Sequence, residues 1–403
     1  MLLLLLAYVV VPLSAGRCPI SVGRVSAPQE AVLRDSRLQM TVDLLRTLAS
    51  QQPSQNIFLS PSSIYSALLL EFFAAAGETE TLLRNTLHIP KNLTKSVVVG
   101  IYKKEKDEAD KNAKEHLKQY ELDSANRIYV QEDVAIRKCV HNLFKDEYKK
   151  INFKDSKATG KINEWVSQIT RNMINPFLPK GVVEPSTRIT LVNAVYFKGL
   201  WKTQFDKEET VTGRFSLADG TAKEVEMMTN TADFTISYGK QYGVLSLPYL
   251  GNDVMMLIVL PSQHSSKSIP QLLDVLNRKE LENILIRMSQ DDPAEVTIRV
   301  PKFTSEQSYQ LVPVLKQMGA ETLFDNPADL SHLIERDSSV RLNKVFHKAK
   351  IEVDELGTKA AAATMSIGNR ALSPDFNVDR PFVYFIYEKS TKTVQFAGIF
   401  NSP

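Results

Sequence analysis

Few residues of this chain combine type and spacing that could do chemistry, and those few point away from turnover. Six histidines, at 88, 116, 141, 264, 332 and 347, show no metal-ligand spacing with one another or with either cysteine. There is no Gly-x-Ser-x-Gly elbow, no His-Glu-x-x-His and no glycine-rich phosphate loop, so an enzyme is the least expected class. The unusual stretch is chemically inert. Residues 355–374 read Glu-Leu-Gly-Thr-Lys-Ala-Ala-Ala-Ala-Thr-Met-Ser-Ile-Gly-Asn-Arg-Ala-Leu-Ser-Pro. Four alanines suit a helix, but Gly357, Gly368 and Pro374 are loop punctuation. Placed in a strand, alternation sends Thr358, Ala360, Ala362, Thr364 and Ser366 to one side and Lys359, Ala361, Ala363 and Met365 to the other. The first set is small enough to slide beneath covering structure, Lys359 can sit in solvent, and no proline between 358 and 373 forbids ladder hydrogen bonds. Such a segment can be exposed or inserted.

The elements around it must hold it at both ends. Val32, Leu33, Leu38, Val42, Leu44, Leu45 and Leu48 recur at helical steps and predict a helix over 29–52. Ser60-Pro61-Ser62 opens another, capped by Ser60, with Ile64, Ala67, Leu68 and Leu70 on its buried face. Residues 103–118 alternate acid and base, which predicts a solvated helix or loop. Strands are expected at 189–197, 244–247, 254–260, 296–300, 350–353, 383–387 and 394–400, the last two joined by a turn at 389–392. No repeat and no Pro/Gly/Ser linker interrupts residues 29–403, so the mixture predicts one large α+β domain.

Composition agrees with a globular chain: 43% hydrophobic, 24% charged, 403 residues. A net charge of +3 argues against nucleic acid as an obligate partner, and two cysteines exclude a disulfide scaffold. Leu2 to Leu13 is an apolar run too short for the ~20 residues that span a bilayer. Ser14-Ala15-Gly16 follows with the small side chains of a cleavage site. We therefore expect a leader over 1–16, a mature domain over 17–403, secretion and no membrane anchor. Secretion makes Asn92-Leu93-Thr94 a usable glycosylation site. It also lets Cys18 and Cys139 either pair or remain two free thiols.

From about residue 35 to Pro403 the chain resembles a serpin, most similar in pattern to extracellular arthropod inhibitory members. The residues carrying this include Asn56-Ile57-Phe58-Leu59-Ser60-Pro61-x-Ser63-Ile64, Ala76-Gly77-Glu78-Thr79, Ala125-Asn126-Arg127 and Ile162-Asn163-x-Trp165-Val166. They continue with Leu191-Val192-Asn193-Ala194-x-Tyr196-Phe197-Lys198-Gly199-x-Trp201, Val300-Pro301-Lys302-Phe303 and His347-Lys348-Ala349. Glu355-x-Gly357-Thr358, Asp379-Arg380-Pro381-Phe382 and Phe396-x-Gly398 complete the set.

The resemblance implies helices packed around three β-sheets, with an exposed reactive-centre loop over about 355–376. It also implies suicide-substrate inhibition, in which the loop is cleaved, forms an acyl-enzyme and inserts into the main sheet. The hinge would be Glu355, Gly357, Thr358, Ala360, Ala361, Ala362, Ala363 and Thr364. Leu356 and Lys359 stand where acidic residues are common in the family. An inserted strand over 358–371 would be roughly 46 Å long. Counting from Gly357 places the cleaved bond after Ala371, and counting back from Asp379 places it after Arg370. A guanidinium suits the acid-floored pocket of trypsin-like proteases, whereas an Ala371 bond suits an elastase-like one. Ser60, Ser63, Asn193 and His347 match the cluster beneath the main sheet that controls its opening, with His347 bonded to Asn193. Glu355 and Lys302 match a hinge ion pair, supported by Trp201. No metal or cofactor is implied. The expected partner is an extracellular trypsin-like protease of a cascade such as coagulation or haemolymph defence, met by a monomer. A heparin-like glycosaminoglycan could bind Lys103, Lys104, Lys106, Lys111, Lys114 and Lys118, although the interspersed acids favour a merely solvated surface. A non-inhibitory carrier or chaperone is the competing class, against which the small hinge residues argue.

Overall fold

The computed structural model of the chain describes residues 18–115, 120–262, 268–325, 328–335, 342–356 and 374–403. Helix α1 (Ala27–Gln51) begins after Ser26, whose N–H donates to the Gln29 side chain at 3.0 Å, a capping arrangement that satisfies an end donor. Strand β1 (Ile57–Leu59) leads into α2 (Pro61–Ala74), where Ser60 caps by accepting from the Ser63 N–H and Pro61 takes the first turn. Helix α2 is buried on nearly every side, so it is a core helix rather than an amphipathic one. Then come α3 (Gly77–Thr86) and α4 (Lys95–Glu115), which realises the mixed-charge run as helix.

Next follow β2 (Tyr120–Gln131), α5 (Lys138–Leu143), β3 (Tyr148–Ile151), α6 (Ala158–Ile169) and β4 (Ile189–Gly199). The middle of the chain is strand-rich: β5 (Val211–Ser216), β6 (Ala222–Tyr238), β7 (Tyr242–Pro248) and β8 (Val254–Pro261). Helices α7 (Ser268–Val275) and α8 (Arg278–Gln290) precede β9 (Ala294–Pro301) and β10 (Phe303–Gln310). Short helices α9 (Val312–Leu315) and α10 (Glu321–Asp325) follow, then β11 (Leu342–Val353), β12 (Asp375–Asn377), β13 (Phe382–Glu388) and β14 (Thr393–Phe400).

A five-stranded sheet has the order β10-β11-β4-β2-β3, and a nine-stranded one runs β1-β14-β13-β8-β7-β6-β9-β12 with β5 on β6. The three sheets implied by the resemblance are present: besides the five-stranded one, the nine-stranded path holds a sheet of β1, β14, β13, β8 and β7 and another of β5, β9 and β12. They share β6, whose residues 227–234 pair with β9 and 235–238 with β7, so one 17-residue strand belongs to two layers. No strand is expected from that stretch by alternation, because Lys223, Glu224 and Glu226 occupy its exposed start.

The five-stranded sheet is covered on both faces, which explains the near-continuous apolar run of β4. Val192, Ala194 and Tyr196 face α6 beside Ile162 and Val166, while Leu191 joins the helical core and Val195 and Phe197 the core between the sheets. Gly398 of β14 lies opposite Tyr384 of β13, and a Cβ there would strike the tyrosine ring, so this position of the C-terminal motif requires glycine.

The cysteines are paired: Cys18 and Cys139 form a disulfide with Cα atoms 5.9 Å apart. It ties the segment before α1 to α5. That segment crosses α4, where Gly23 N–H donates to Ser96 O at 2.8 Å and a Cβ on Gly100 would collide with the Gly23 carbonyl.

Candidate functional site: a sheet seam and the anchors of one loop

In the five-stranded sheet, β4 and β11 lie side by side and parallel, joined over nine register pairs from Leu342↔Ile189 to Ile351↔Phe197. Register sets a row across four strands: Tyr309 opposite His347, His347 opposite Asn193, and Asn193 opposite Asn126. Because side chains of one register row share a face, all four can be reached by the start of α2. Ser60 N–H donates to His347 Nε2 at 3.1 Å, and His347 Nδ1 meets Asn193 Oδ1. Since Nε2 accepts, the proton sits on Nδ1 and is donated to Asn193. The Asn193 amide then donates to Ser63 Oγ at 2.5 Å and to Asn126 Oδ1. Ser63 Oγ lies 3.0 Å from Asn126 Oδ1 and 3.1 Å from Ser124 Oγ. Ser60 Oγ donates to Gln395 O at 2.7 Å.

His347 is fully buried, and burial pushes its pKa down to about 3, so the ring is neutral at physiological pH. Tyr309 stacks parallel to it, with ring centroids 6.3 Å apart, and its hydroxyl accepts from Phe58 N–H at 3.3 Å. The structure therefore gathers Ser60, Ser63, Asn193 and His347 at the seam between β4 and β11. Sequence reading gave no role there to Asn126, Ser124, Tyr309 or Gln395. The signal for Asn126 was register alone: a polar residue mid-strand opposite another in the next strand.

At its far end β11 runs into Asp354-Glu355-Leu356, and each residue is held. Trp201 Nε1 donates to Asp354 O at 2.8 Å, Trp201 N–H to Leu356 O at 3.3 Å, and Phe205 N–H to Glu355 O at 2.9 Å. The Trp201 ring stacks on Tyr249 with centroids 4.4 Å apart. Glu355, 3% exposed, accepts from Lys302 Nζ at 3.2 Å and Thr210 Oγ1 at 3.0 Å. Burial alone would raise its pKa, but a backbone hydrogen bond, Lys302 and Thr210 outweigh it and hold the carboxyl below its usual value. Past the intervening segment, Pro374 O accepts from Thr297 N–H at 3.0 Å, and β12 pairs with Thr297–Arg299 of β9. Both anchors of residues 357–373 thus sit on β9 and the residue after it.

The family model described as Serpin (serine protease inhibitor) matches residues 35–403. The chain belongs to the serpin family. Serine protease inhibitor 88Ea of Drosophila melanogaster is 31% identical over 96% of this chain and 95% of its own length. Leukocyte elastase inhibitor of Sus scrofa is 33% identical over 92% of this chain and 99% of its own. The fold is similar to native protease nexin-1 solved with heparin, with a TM-score of 0.81, 30% identity, and coverage of 93% of this chain and 100% of that one. The family is one of protease inhibitors rather than of turnover enzymes.

For this serpin, Gly357, Thr358, Ala360, Ala361, Ala362, Ala363 and Thr364 of the hinge lie outside the described residues, as do Arg370 and Ala371 and the leader 1–16. Asn92 is exposed, on the connection between α3 and α4. Of the α4 lysines, Lys103, Lys104 and Lys106 turn to neighbours within the chain. Lys103 donates to Leu143 O and lies 4.5 Å over the Phe144 ring. Lys104 pairs with Glu30 at 2.5 Å and Lys106 with Glu147 at 2.5 Å. Lys111 is exposed and Lys114 lies on the same helix, whereas Lys118 is outside the described residues. Three of the six ammonium groups are committed to neighbours within the chain.

Proposed function

We propose that this serpin is a secreted suicide-substrate inhibitor of trypsin-like serine proteases, cut after Arg370, acting in an extracellular proteolytic cascade. The observation that carries the reading is the parallel contact of β4 with β11, whose far end feeds the small-residue run. Two parallel neighbours accept one antiparallel strand between them, and β11 would supply it by turning back at Glu355. The loop has chain to spare. Its anchors, Thr297 on β9 and Lys302 just after it, are five residues apart, about 17 Å, whereas residues 357–373 extended reach on the order of 55 Å. The residues that enter first, Thr358 and Ala360 to Ala363, are small. Secretion is supported by the Cys18–Cys139 bond, which belongs to an oxidising compartment, and by the exposed Asn92 sequon. N-terminal sequencing of secreted protein should start at Arg17.

A second reading rests on Ala371 as the residue before the cut, with an elastase-like target. A relative bearing the name leukocyte elastase inhibitor makes it specific. Incubation with trypsin-, elastase- and chymotrypsin-like proteases separates them. A covalent adduct stable to SDS with the trypsin-like enzyme, and a released peptide starting at Ala371, support Arg370. A peptide starting at Leu372 selects the second reading, and cleavage without any adduct defeats inhibition in favour of a carrier or chaperone.

A further inference from the structure

The Cys18–Cys139 bond lies at the surface, and no step of the proposed inhibition uses it. Cys139 is exposed and Cys18 half-buried, so one sulfur of the pair is open to attack from solution. Exposed disulfides belong to the reducible, regulatory class, whereas buried structural ones resist reduction.

The bond closes a belt over α4. Residues 18–26 cross the first turns of that helix at close range: Ile20 is buried in the helical core, Val25 packs against it, and a Cβ on Gly23 would strike the Ser96 carbonyl. Beyond the crossing this strap becomes α1, which is fastened to the far side of the seam. Arg46 Nε donates to Leu273 O of α7 at 2.9 Å, and Gln51 Nε2 donates to Gln317 Oε1, just after β10 and α9, at 2.8 Å. At the other end, α5 feeds β3, the outer strand of the β4-β2-β3 half of the five-stranded sheet. The disulfide therefore ties one half of that sheet to elements that hold the other. Beside it, Arg137 N–H donates to Leu333 O at 2.8 Å and Glu335 N–H to Ala135 O at 3.0 Å, joining the start of α5 to the segment ahead of β11. Those hydrogen bonds can break and re-form as strands part, and a covalent bond cannot.

We infer that the Cys18–Cys139 bond is a redox-sensitive brake on parting β4 from β11, released by a dithiol. One thiolate of the dithiol attacks Cys139 Sγ, the bond between the two sulfurs breaks, and Cys18 leaves as a thiolate that takes up a proton. The second thiol of the dithiol then attacks the mixed disulfide and frees Cys139. Two electrons and two protons have passed to the cysteine pair, and the dithiol is left as a disulfide. In the secreted form proposed above, Cys18 is the second residue of the chain. Release then frees a chain end, and the strap can lift from α4. The purpose of the brake rests on the proposed insertion, which must part this seam, but its measurement needs no protease.

The test is amide hydrogen exchange of the whole folded protein, well below its melting point, before and after treatment with dithiothreitol. Amides of β4 and β11 should exchange several-fold faster once the bond is open, and by a larger factor than those of the β13–β14 ladder. C18S/C139S should match the reduced protein, and reoxidation of the reduced wild type should restore slow exchange. Treating wild type after it has folded keeps the test valid if the double variant folds poorly. The inference is overturned if exchange quickens only in residues 18–26 and α4, because the bond is then a local staple. It is overturned equally if β13–β14 quickens by the same factor as the seam, or if the bond withstands the dithiol until the protein unfolds. Covalent adducts with protease are scored separately: their absence alongside the expected exchange response defeats inhibition and leaves the brake standing.

Discussion

Glu71 is a carboxyl in the wrong place for stability. It lies on α2 at 1% exposure, and its Oε1 has no hydrogen-bond partner. The nearby Tyr148 hydroxyl is spent on Leu70 O at 2.5 Å. Burial pushes its pKa from 4.5 up to about 8. The folded state then holds a proton that the unfolded state has released, so stability is undiminished below about pH 4.5 and falls as pH rises towards 8. At about 1.36 kcal/mol per unit, the cost is about 1 kcal/mol near pH 5 and about 4 kcal/mol near pH 8. Glu71→Met keeps length and helix propensity and removes the ionisation. With unfolding entropy of about 2.1 cal/mol/K per residue, 4 kcal/mol corresponds to about 5 °C for a chain of this length. Urea and thermal midpoints should therefore rise strongly in the variant near pH 8 and little near pH 5. An equal gain at both pH values would refute the reasoning, because it would mean that Glu71 ionises as freely in the fold as in water.

The remaining expectations concern the seam, the hinge and the clamp. His347, held neutral with a pKa of about 3, contributes stability that is complete above about pH 6.5 and lost as pH falls towards 3. In His347→Gln the dependence of the urea midpoint on pH between 6 and 4 should weaken by about one proton, or about 1.4 kcal/mol per pH unit. Lys302→Ala leaves Glu355 buried without its cation and should cost on the order of 2 kcal/mol, seen as a lower urea midpoint above pH 5 that converges with wild type in acid. Reducing Cys18–Cys139 opens a link between residues 121 apart, worth up to about 5 kcal/mol by chain entropy. The melting point should drop and limited proteolysis should appear before α1.

Much of this was legible because apolar periodicity and polar exceptions are written locally. β4 reads as a strand buried on both faces, and Asn193 in its middle stands out as a polar group that must be satisfied. Ser60-Pro61 announces α2 through cap chemistry. What stayed hidden depends on non-local pairing. β6 carries charges at its start because that end is exposed, so alternation fails although the backbone pairs with β5, β7 and β9. The lysines of α4 look like one stripe on paper, yet Lys103 and Lys106 turn towards Phe144 and Glu147, residues about 40 positions away. The cysteine pair was undecidable for the same reason, since only the path of the segment across α4 brings Cys18 to α5.

The seam explains why a fold would tolerate so much polarity beneath its main sheet. Separating β4 from β11 forfeits one ladder of nine register pairs, while a strand placed between them forms two. The net gain is about one ladder, which at about 0.5–1.5 kcal/mol per hydrogen bond is on the order of 10 kcal/mol, comparable to the stability of a whole domain. In the insertion proposed above, the uncut protein would be kept closed by what crosses the seam: the His347–Asn193 bond crosses it, backed by Ser60 and Ser63 at the start of α2. An apolar pair would hold the strands no less firmly but could be parted gradually. A buried donor and acceptor must stay paired until they separate, at about 1–3 kcal/mol for each group left unsatisfied, so opening has a threshold.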